Sequence, residues 1–189
     1  MGLGYRRAGS CCRSVVKRTP ALCGGGERDV RLGTRSAVAL GICLAACFGA
    51  AALGALFTGP AVRTWYQEIR RPAFSPPDWV FGPVWTVLYT MMAVAAWLVW
   101  RKADAPGRAA ALVLFGVQLA LNAAWSPIFF GLRSFGGALA DIVALWLAIV
   151  ASLVAFWRIS MPAGVLLAPY LAWVSFAAVL NVAIWRLNP

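Results

Sequence analysis

Histidine is absent from this 189-residue sequence, and only six acidic residues stand against seventeen Lys and Arg. Without histidine the chain lacks the usual general base, the usual haem ligand and the commonest metal ligand. This argues against a haem enzyme and against a Ser-His hydrolase. The five cysteines form no Cys-x-x-Cys pair, and an odd count without metal-ligand spacing argues against a zinc site or a disulfide framework. We therefore expect no metal site.

Charge is also scarce, because charged residues make up 12% of the chain and apolar residues 62%, against about 25% charged in an ordinary soluble domain. The chain contains five long apolar segments. Each has about the 20 residues that a helix needs to cross a bilayer core of about 30 Å. None has the polar face of a soluble core helix. The sequence predicts an all-α integral membrane bundle of five transmembrane helices, in a bacterial cell or outer membrane or an organelle membrane. The predicted spans are 37–57, 82–101, 109–130, 136–157 and 164–186.

The first 35 residues differ from the rest, since they contain eight of the seventeen basic residues and no apolar period. We expect residues 1–35 to form a basic, disordered tail and residues 36–189 to form the five-helix membrane domain. A transit peptide, or a true start further along the chain, would also fit this composition. Basic residues concentrated in a tail and at helix ends indicate a membrane surface rather than nucleic acid.

The second span begins after Pro76-Pro77, which cannot form a helix interior. Asp78 is expected to cap this span with its carboxylate. Trp79 would lie at interface depth, where it could serve either an aromatic belt or a ligand. Trp85 is deeper, on the side of Tyr89, and is the better pocket candidate.

The third span places two amides, Gln118 and Asn122, one turn apart on the same face. Amides inside a bilayer need partners, so they either bridge helices or line a ligand cavity. Gly116, Ala120 and Ala124 follow each other at intervals of four residues. This stripe of small residues predicts a close helix contact, either in a dimer or within the bundle, and we expect it to form a homodimer interface.

In the fifth span, Trp173 and Ala177 share one face, and Asn181 follows Ala177 by one turn. Pro169 frees a backbone carbonyl and favours a kink in this helix. The short stretch before Arg186 contains no Tyr, which argues against the Tyr-and-basic pattern proposed for cholesterol binding.

Several of these runs together resemble the TspO/MBR family, the tryptophan-rich sensory proteins and the translocator protein or peripheral-type benzodiazepine receptor. They are residues 76–89 (PPDWVFGPVWTVLY), residues 121–131 (LNAAWSPIFFG), Pro169-Tyr170-x-x-Trp173 and Asn188-Pro189. The resemblance covers about residues 37–189. It implies a five-helix bundle, commonly dimeric, that binds porphyrins and hydrophobic drug-like ligands between its helices. Bacterial members resemble regulators of tetrapyrrole and stress responses, some promote light-dependent protoporphyrin breakdown, and animal members also bind cholesterol.

Carried over by position, the resemblance implies a pocket formed by the second, third and fifth spans, with the first loop as a lid. An apolar, aromatic cavity with a few polar anchors suits a flat tetrapyrrole. Trp79 is retained as a further candidate. The residues implied are Trp85, Tyr89, Gln118, Asn122, Trp173 and Ala177.

The resemblance implies a membrane receptor or sensor that binds protoporphyrin IX and other hydrophobic ligands and regulates tetrapyrrole metabolism or transport and stress response. The spans contain no acid–base constellation, so a binding protein is expected rather than an enzyme. One alternative is light- and oxygen-dependent protoporphyrin breakdown through Trp85 or Trp173, and another is a sterol-binding or scaffold protein. No cofactor is expected beyond the porphyrin as ligand. The expected partners are that ligand, the bilayer and a second copy of the chain, without nucleic acid and without strong cholesterol binding.

Overall fold

The computed structural model describes residues 25–188, with side chains from residue 33 onward. The chain forms two units, residues 1–34 and residues 35–189, and the candidate site lies wholly in the second. Between residues 25 and 188 the structure contains five long α-helices and no β-strand, which confirms the predicted fold class. The helices are α1 (Gly25–Val62), α2 (Asp78–Trp100), α3 (Arg108–Ser126), α4 (Phe135–Ile159) and α5 (Met161–Leu187).

Helix α1 begins twelve residues before the predicted start of the first span at residue 37. Residues 1–24 of the expected tail lie outside the described residues. Residues 25–35 belong to helix α1, and the division into a tail and a membrane domain stays a prediction. This stretch contains good helix formers such as Arg and Leu, and no Pro separates it from the apolar span.

All five helices are long and apolar enough to cross a membrane. Their outward faces carry large apolar side chains that are more than half exposed, so the bundle presents hydrocarbon-like surface on every helix. A surface of this kind is stable in lipid and would be a large unfavourable patch in water. The protein is therefore a multi-pass membrane protein, as predicted. Examples of these outward residues are Ile42, Leu56, Val87, Val113, Leu147 and Val179.

Helices α4 and α5 form a tight antiparallel hairpin joined by Ser160, whose extended backbone reverses the chain. A Cβ at Gly164 would lie 2.8 Å from Cε3 of Trp157 and 3.0 Å from its Cα, so a larger residue there would push the two helices apart. Further along, Nε1 of Trp146 donates to Oγ of Ser175 at 2.8 Å. These contacts set the register that brings the site residues of α5 beside α4.

The third span is not one continuous α-helix. It ends at Ser126, and residues Pro127–Gly131 form a π-helical turn in which the Leu132 N–H donates to the Pro127 carbonyl at 2.9 Å. Pro127 has no N–H and therefore cannot continue the α-helical ladder. The turn leaves Phe129 and Phe130 buried, at 1% and 9% exposed.

Asp78 does not cap α2 as expected. Pro77 occupies the N-cap position, and Asp78 is the first helical residue without a capping hydrogen bond. Its carboxylate instead accepts from Nε2 of Gln67 and from Nη1 of Arg71, each at 3.0 Å. The stiff Pro76-Pro77 pair folds the loop back, so a charged partner reaches the carboxylate in place of the helix N–H groups.

Candidate ligand-binding site

A cavity of about 530 Å³ lies among the helices, at the end of the bundle that carries the α1–α2 loop. All five helices and the π-helical turn contribute to its lining. Its size is within the range of about 300–1,000 Å³ that small-molecule sites have. Most of the lining is aromatic or aliphatic, and the polar groups are few.

Aromatic side chains form much of the cavity wall, and they support one another. Phe81 of α2 meets the edge of Trp173 of α5, with ring centroids 5.8 Å apart. Trp125 of α3 stacks on Phe129 of the π-helical turn at 4.8 Å. Trp85 of α2 also lines the cavity. Rings held in this way present rigid apolar faces, which favour a flat apolar ligand.

The deep side of the cavity is closed by hydrogen bonds that join three helices. The hydroxyl of Tyr89 donates to Oδ1 of Asn122, and Nδ2 of Asn122 donates to the hydroxyl of Tyr170 at 3.0 Å. Asn122 is 7% exposed and Tyr170 is fully buried. The amide of Asn122 is therefore satisfied within the protein, and it fixes α2, α3 and α5 relative to one another at this depth.

The loop between α1 and α2 borders the opposite end of the cavity. The ion pair between Arg71 and Asp78, at 3.0 Å, ties the loop to the start of α2, and the Arg71 guanidinium lies over the ring of Tyr66 at 5.4 Å. Tyr66 is buried and lines the cavity. Burial raises the pKa of Tyr66 against the opposing effect of Arg71, so its hydroxyl stays protonated at neutral pH.

The same loop is also held by the end of α5. The side-chain amide of Asn188 accepts from the backbone N–H of Arg70 and donates to the Arg70 carbonyl, both at 3.0 Å. Nδ2 of Asn188 also donates to the Ile184 carbonyl at 2.9 Å. One side chain thus clamps the backbone of Arg70, through both its N–H and its carbonyl, onto the last turn of α5.

The structure brings five of the seven predicted ligand residues to the cavity. Trp85, Tyr89, Asn122, Trp173 and Ala177 all line it, from three different helices. The helical phase of each span was therefore assigned correctly at these positions. Their role in binding a ligand stays a prediction.

The other two predicted residues, Trp79 and Gln118, do not line the cavity, and their role in binding a ligand stays a prediction. Trp79 is 75% exposed and points away from the lining, because it is about 120° around α2 from Trp85. Gln118 is fully buried one turn below Asn122, where its Nε2 lies 4.0 Å from the sulfur of Met92 and its Oε1 has no partner. The bonded layer at Asn122 and the Met92 side chain separate Gln118 from the cavity.

One wall was missed by sequence reasoning, namely the one formed by α1. Gly54 lies so close to α3 that a Cβ there would be 3.1 Å from Oγ of Ser126, and the Thr58 hydroxyl lies 3.4 Å from the same oxygen. Ala51, Ala55 and Gly59 recur every four residues beside them and line the cavity. This spacing of small residues was the signal that could have indicated a cavity-facing stripe.

The predicted dimer stripe faces away from the cavity. Gly116 and Ala120 are exposed on the outer face of α3, Ala124 is half-buried, and a Cβ at Gly116 would meet no atom within 4 Å. The stripe is thus free to contact another helix, and the homodimer stays a prediction. In the described part of the chain, no three His, Cys, Asp or Glu side chains converge on a point that could hold a metal ion.

Comparison with known proteins agrees with this architecture. The model of the TspO/MBR family matches residues 42–186. The chain is 44% identical over 154 residues to the Tryptophan-rich protein TspO of Chlorobaculum tepidum, which covers 79% of this chain and 96% of that protein. It is 41% identical over 152 residues to the Translocator protein of Homo sapiens, covering 79% and 89%. It is 41% identical over 145 residues to the Tryptophan-rich sensory protein of Cereibacter sphaeroides, covering 77% and 88%. The chain belongs to the TspO/MBR family.

Proposed function

We propose that this protein is a membrane receptor or sensor that binds protoporphyrin IX and other hydrophobic molecules in the cavity, and that it thereby regulates tetrapyrrole metabolism or transport and stress responses. The observation that carries this proposal is the cavity itself, about 530 Å³ in volume and walled by Trp85, Trp125 and Trp173. The names of the relatives, a sensory protein and a translocator protein, support a receptor rather than a structural role.

The chemistry of the cavity suits a large flat ring. Rigid aromatic faces give stacking and apolar contact along the ligand body. The hydroxyl and amide groups at the deep end, on Tyr89 and Asn122, already bond to each other, so they do not require a polar ligand group there. No resident cofactor is needed for binding of this kind, and the porphyrin is the ligand.

Titration of purified protein in a mild detergent with protoporphyrin IX in the dark tests the proposal. We expect quenching of tryptophan emission with a Kd in the micromolar range or below, which corresponds to about −8 kcal/mol or better. Unchanged emission over this range would refute it. Trp85→Leu should weaken binding about tenfold, which corresponds to about 1.4 kcal/mol. Trp79→Leu is the matched control on the same helix and should stay within about twofold of the wild type.

A second candidate function is light- and oxygen-dependent breakdown of the bound porphyrin. It is favoured by the three tryptophans that line one cavity, because indoles are redox-active side chains beside the bound ring and dioxygen would be the oxidant of the porphyrin. Illumination of the complex should then cause spectral loss of the porphyrin. Trp85→Phe or Trp173→Phe should abolish that loss while binding in the dark is retained. Spectral loss that persists in both variants would leave only the binding function.

A homodimer formed through α3 is part of the same proposal. It is supported by the exposed small residues Gly116 and Ala120, which allow the backbones of two helices to approach closely. If the dimer matters more than the cavity, the protein is a scaffold, and the porphyrin titration above separates that possibility from a receptor.

A further inference from the structure

Arg63 lies just after α1, in the loop that borders one end of the cavity, and its side chain lines that cavity. We call this end the mouth. The residue is exposed, so the guanidinium is accessible to a ligand that enters from this end. Across residues 33–188 it has neither a hydrogen bond nor an ion pair. Arg63 is therefore a permanent positive charge at the mouth of an apolar cavity, and its five N–H donors have no acceptor among the described residues.

The other polar groups at the mouth do not neutralise Arg63. Asp78 is the other charged residue in the described lining, and its two oxygens are already engaged by Arg71 and Gln67 at 3.0 Å each. Tyr66 also lines the mouth but stays uncharged, as its raised pKa shows. The pair of Arg71 and Asp78 has no net charge, so Arg63 is the one unpaired charge among the described residues of the lining.

We propose that Arg63 binds a carboxylate of the ligand, so that the site selects amphipathic molecules with a broad apolar body and an acidic group at one end. This inference rests on the function proposed above and adds the chemical class of the ligand and its orientation. A carboxylate matches the fork of a guanidinium and can accept two hydrogen bonds from it. The apolar body then lies between Trp85 and Trp173, and the acidic edge stays at the loop end.

Protoporphyrin IX and its dimethyl ester form a matched pair of probes, since they share the flat ring and differ in the two negative charges. Both are titrated into wild-type protein, Arg63→Gln and Arg70→Gln, in the same non-ionic detergent at fixed pH and low salt. Arg70→Gln is the control, because Arg70 lies on the same loop outside the lining and its side chain makes no hydrogen bond or ion pair within residues 33–188.

We expect the wild type to bind the diacid about five- to tenfold more tightly than the ester, as suits a charge-assisted pair at a partly exposed site. Arg63→Gln should lose this preference and bind the ester as the wild type does, which also shows that its cavity is intact. Arg70→Gln should keep the preference. Added salt should weaken diacid binding to the wild type and leave Arg63→Gln almost unaffected.

The outcomes separate the two proposals. If the wild type binds neither probe, the porphyrin function fails and the assignment of Arg63 fails with it. If the wild type binds diacid and ester equally well, or if Arg63→Gln keeps the preference for the diacid, the porphyrin function stands and the role of Arg63 is refuted.

Discussion

The contribution of hydrogen bonds inside the bundle can be tested with two buried hydroxyls, one that has a hydrogen-bond partner and one that has none. Tyr170 on α5 and Ser152 on α4 are both fully buried. The Tyr170 hydroxyl accepts a hydrogen bond of 3.0 Å from Nδ2 of Asn122, whereas Oγ of Ser152 has no partner. Tyr170→Phe and Ser152→Ala each remove one oxygen from such a position and leave most of the packing in place. The first removes a satisfied group and the second an unsatisfied one.

The two substitutions are expected to change the free energy of unfolding in different directions. Tyr170→Phe leaves the amide N–H of Asn122 without its partner, and a buried donor without a partner costs about 1–3 kcal/mol. Measured side-chain hydrogen bonds within membranes average about 0.6 kcal/mol with a maximum of about 1.7, so we expect a loss of about 1 kcal/mol and no more than about 1.7. Ser152→Ala removes a desolvated hydroxyl and improves helix propensity, so it should be neutral or stabilising by up to about 1 kcal/mol.

Reversible unfolding in mixed micelles, by titration with a denaturing detergent and followed by circular dichroism, measures both values. Tyr89→Phe and its combination with Tyr170→Phe complete a cycle around Asn122, and the two changes should not be additive because they share that amide. The reasoning is refuted if Ser152→Ala destabilises the protein as much as Tyr170→Phe does. That result would mean that packing volume, rather than hydrogen bonding, determines stability at this depth.

Three further predictions concern the cavity, the dimer and the loop. Ala177→Thr adds bulk to the cavity wall, where overpacking costs about 1–3 kcal/mol, and its hydroxyl can bond back to the Trp173 carbonyl. Porphyrin titration should show weaker binding with helix content retained, and loss of apo stability with wild-type affinity would make Ala177 a packing residue only. Ala120→Leu should reduce crosslinked dimer in detergent, and an intact dimer would show that the α3 stripe has another use. Asn188→Ala removes both hydrogen bonds to the Arg70 backbone, so hydrogen exchange in the α1–α2 loop and porphyrin dissociation should both accelerate; unchanged exchange would mean that the clamp does not hold the loop.

The five spans could be predicted because hydropathy is a local property of each segment and the bilayer sets its length. The site was partly predictable for a different reason, since a helix carries its own phase. Trp85 and Tyr89 are one turn apart, and Trp173 and Ala177 are one turn apart, so each pair had to share a face. The same rule excludes Trp79 from the face of Trp85, and applying it strictly would have removed Trp79 from the candidates.

How far a cavity extends along a helix cannot be predicted from the sequence of that helix alone. Gln118 and Asn122 share a face of α3, yet the cavity reaches only Asn122, because Tyr89 and Tyr170 meet that amide from α2 and α5. Below this layer the Met92 side chain packs against Gln118. Where a cavity ends is thus decided by side chains on other helices, and the sequence of α3 contains no sign of it.

The two ends of the cavity differ in whether their polar groups already have partners within the described residues. At the deep end, the polar groups of Tyr89, Asn122 and Tyr170 bond to one another, so a ligand gains little by offering them a partner. At the mouth, the exposed Arg63 guanidinium has no partner within the described residues, so a ligand can supply one in exchange for water. Between them the walls are aromatic and accept any broad apolar body of suitable size. If the proposed function holds, we expect the walls to determine how tightly hydrophobic ligands bind as a class, and the charge that each ligand presents to Arg63 to determine discrimination among ligands of similar shape.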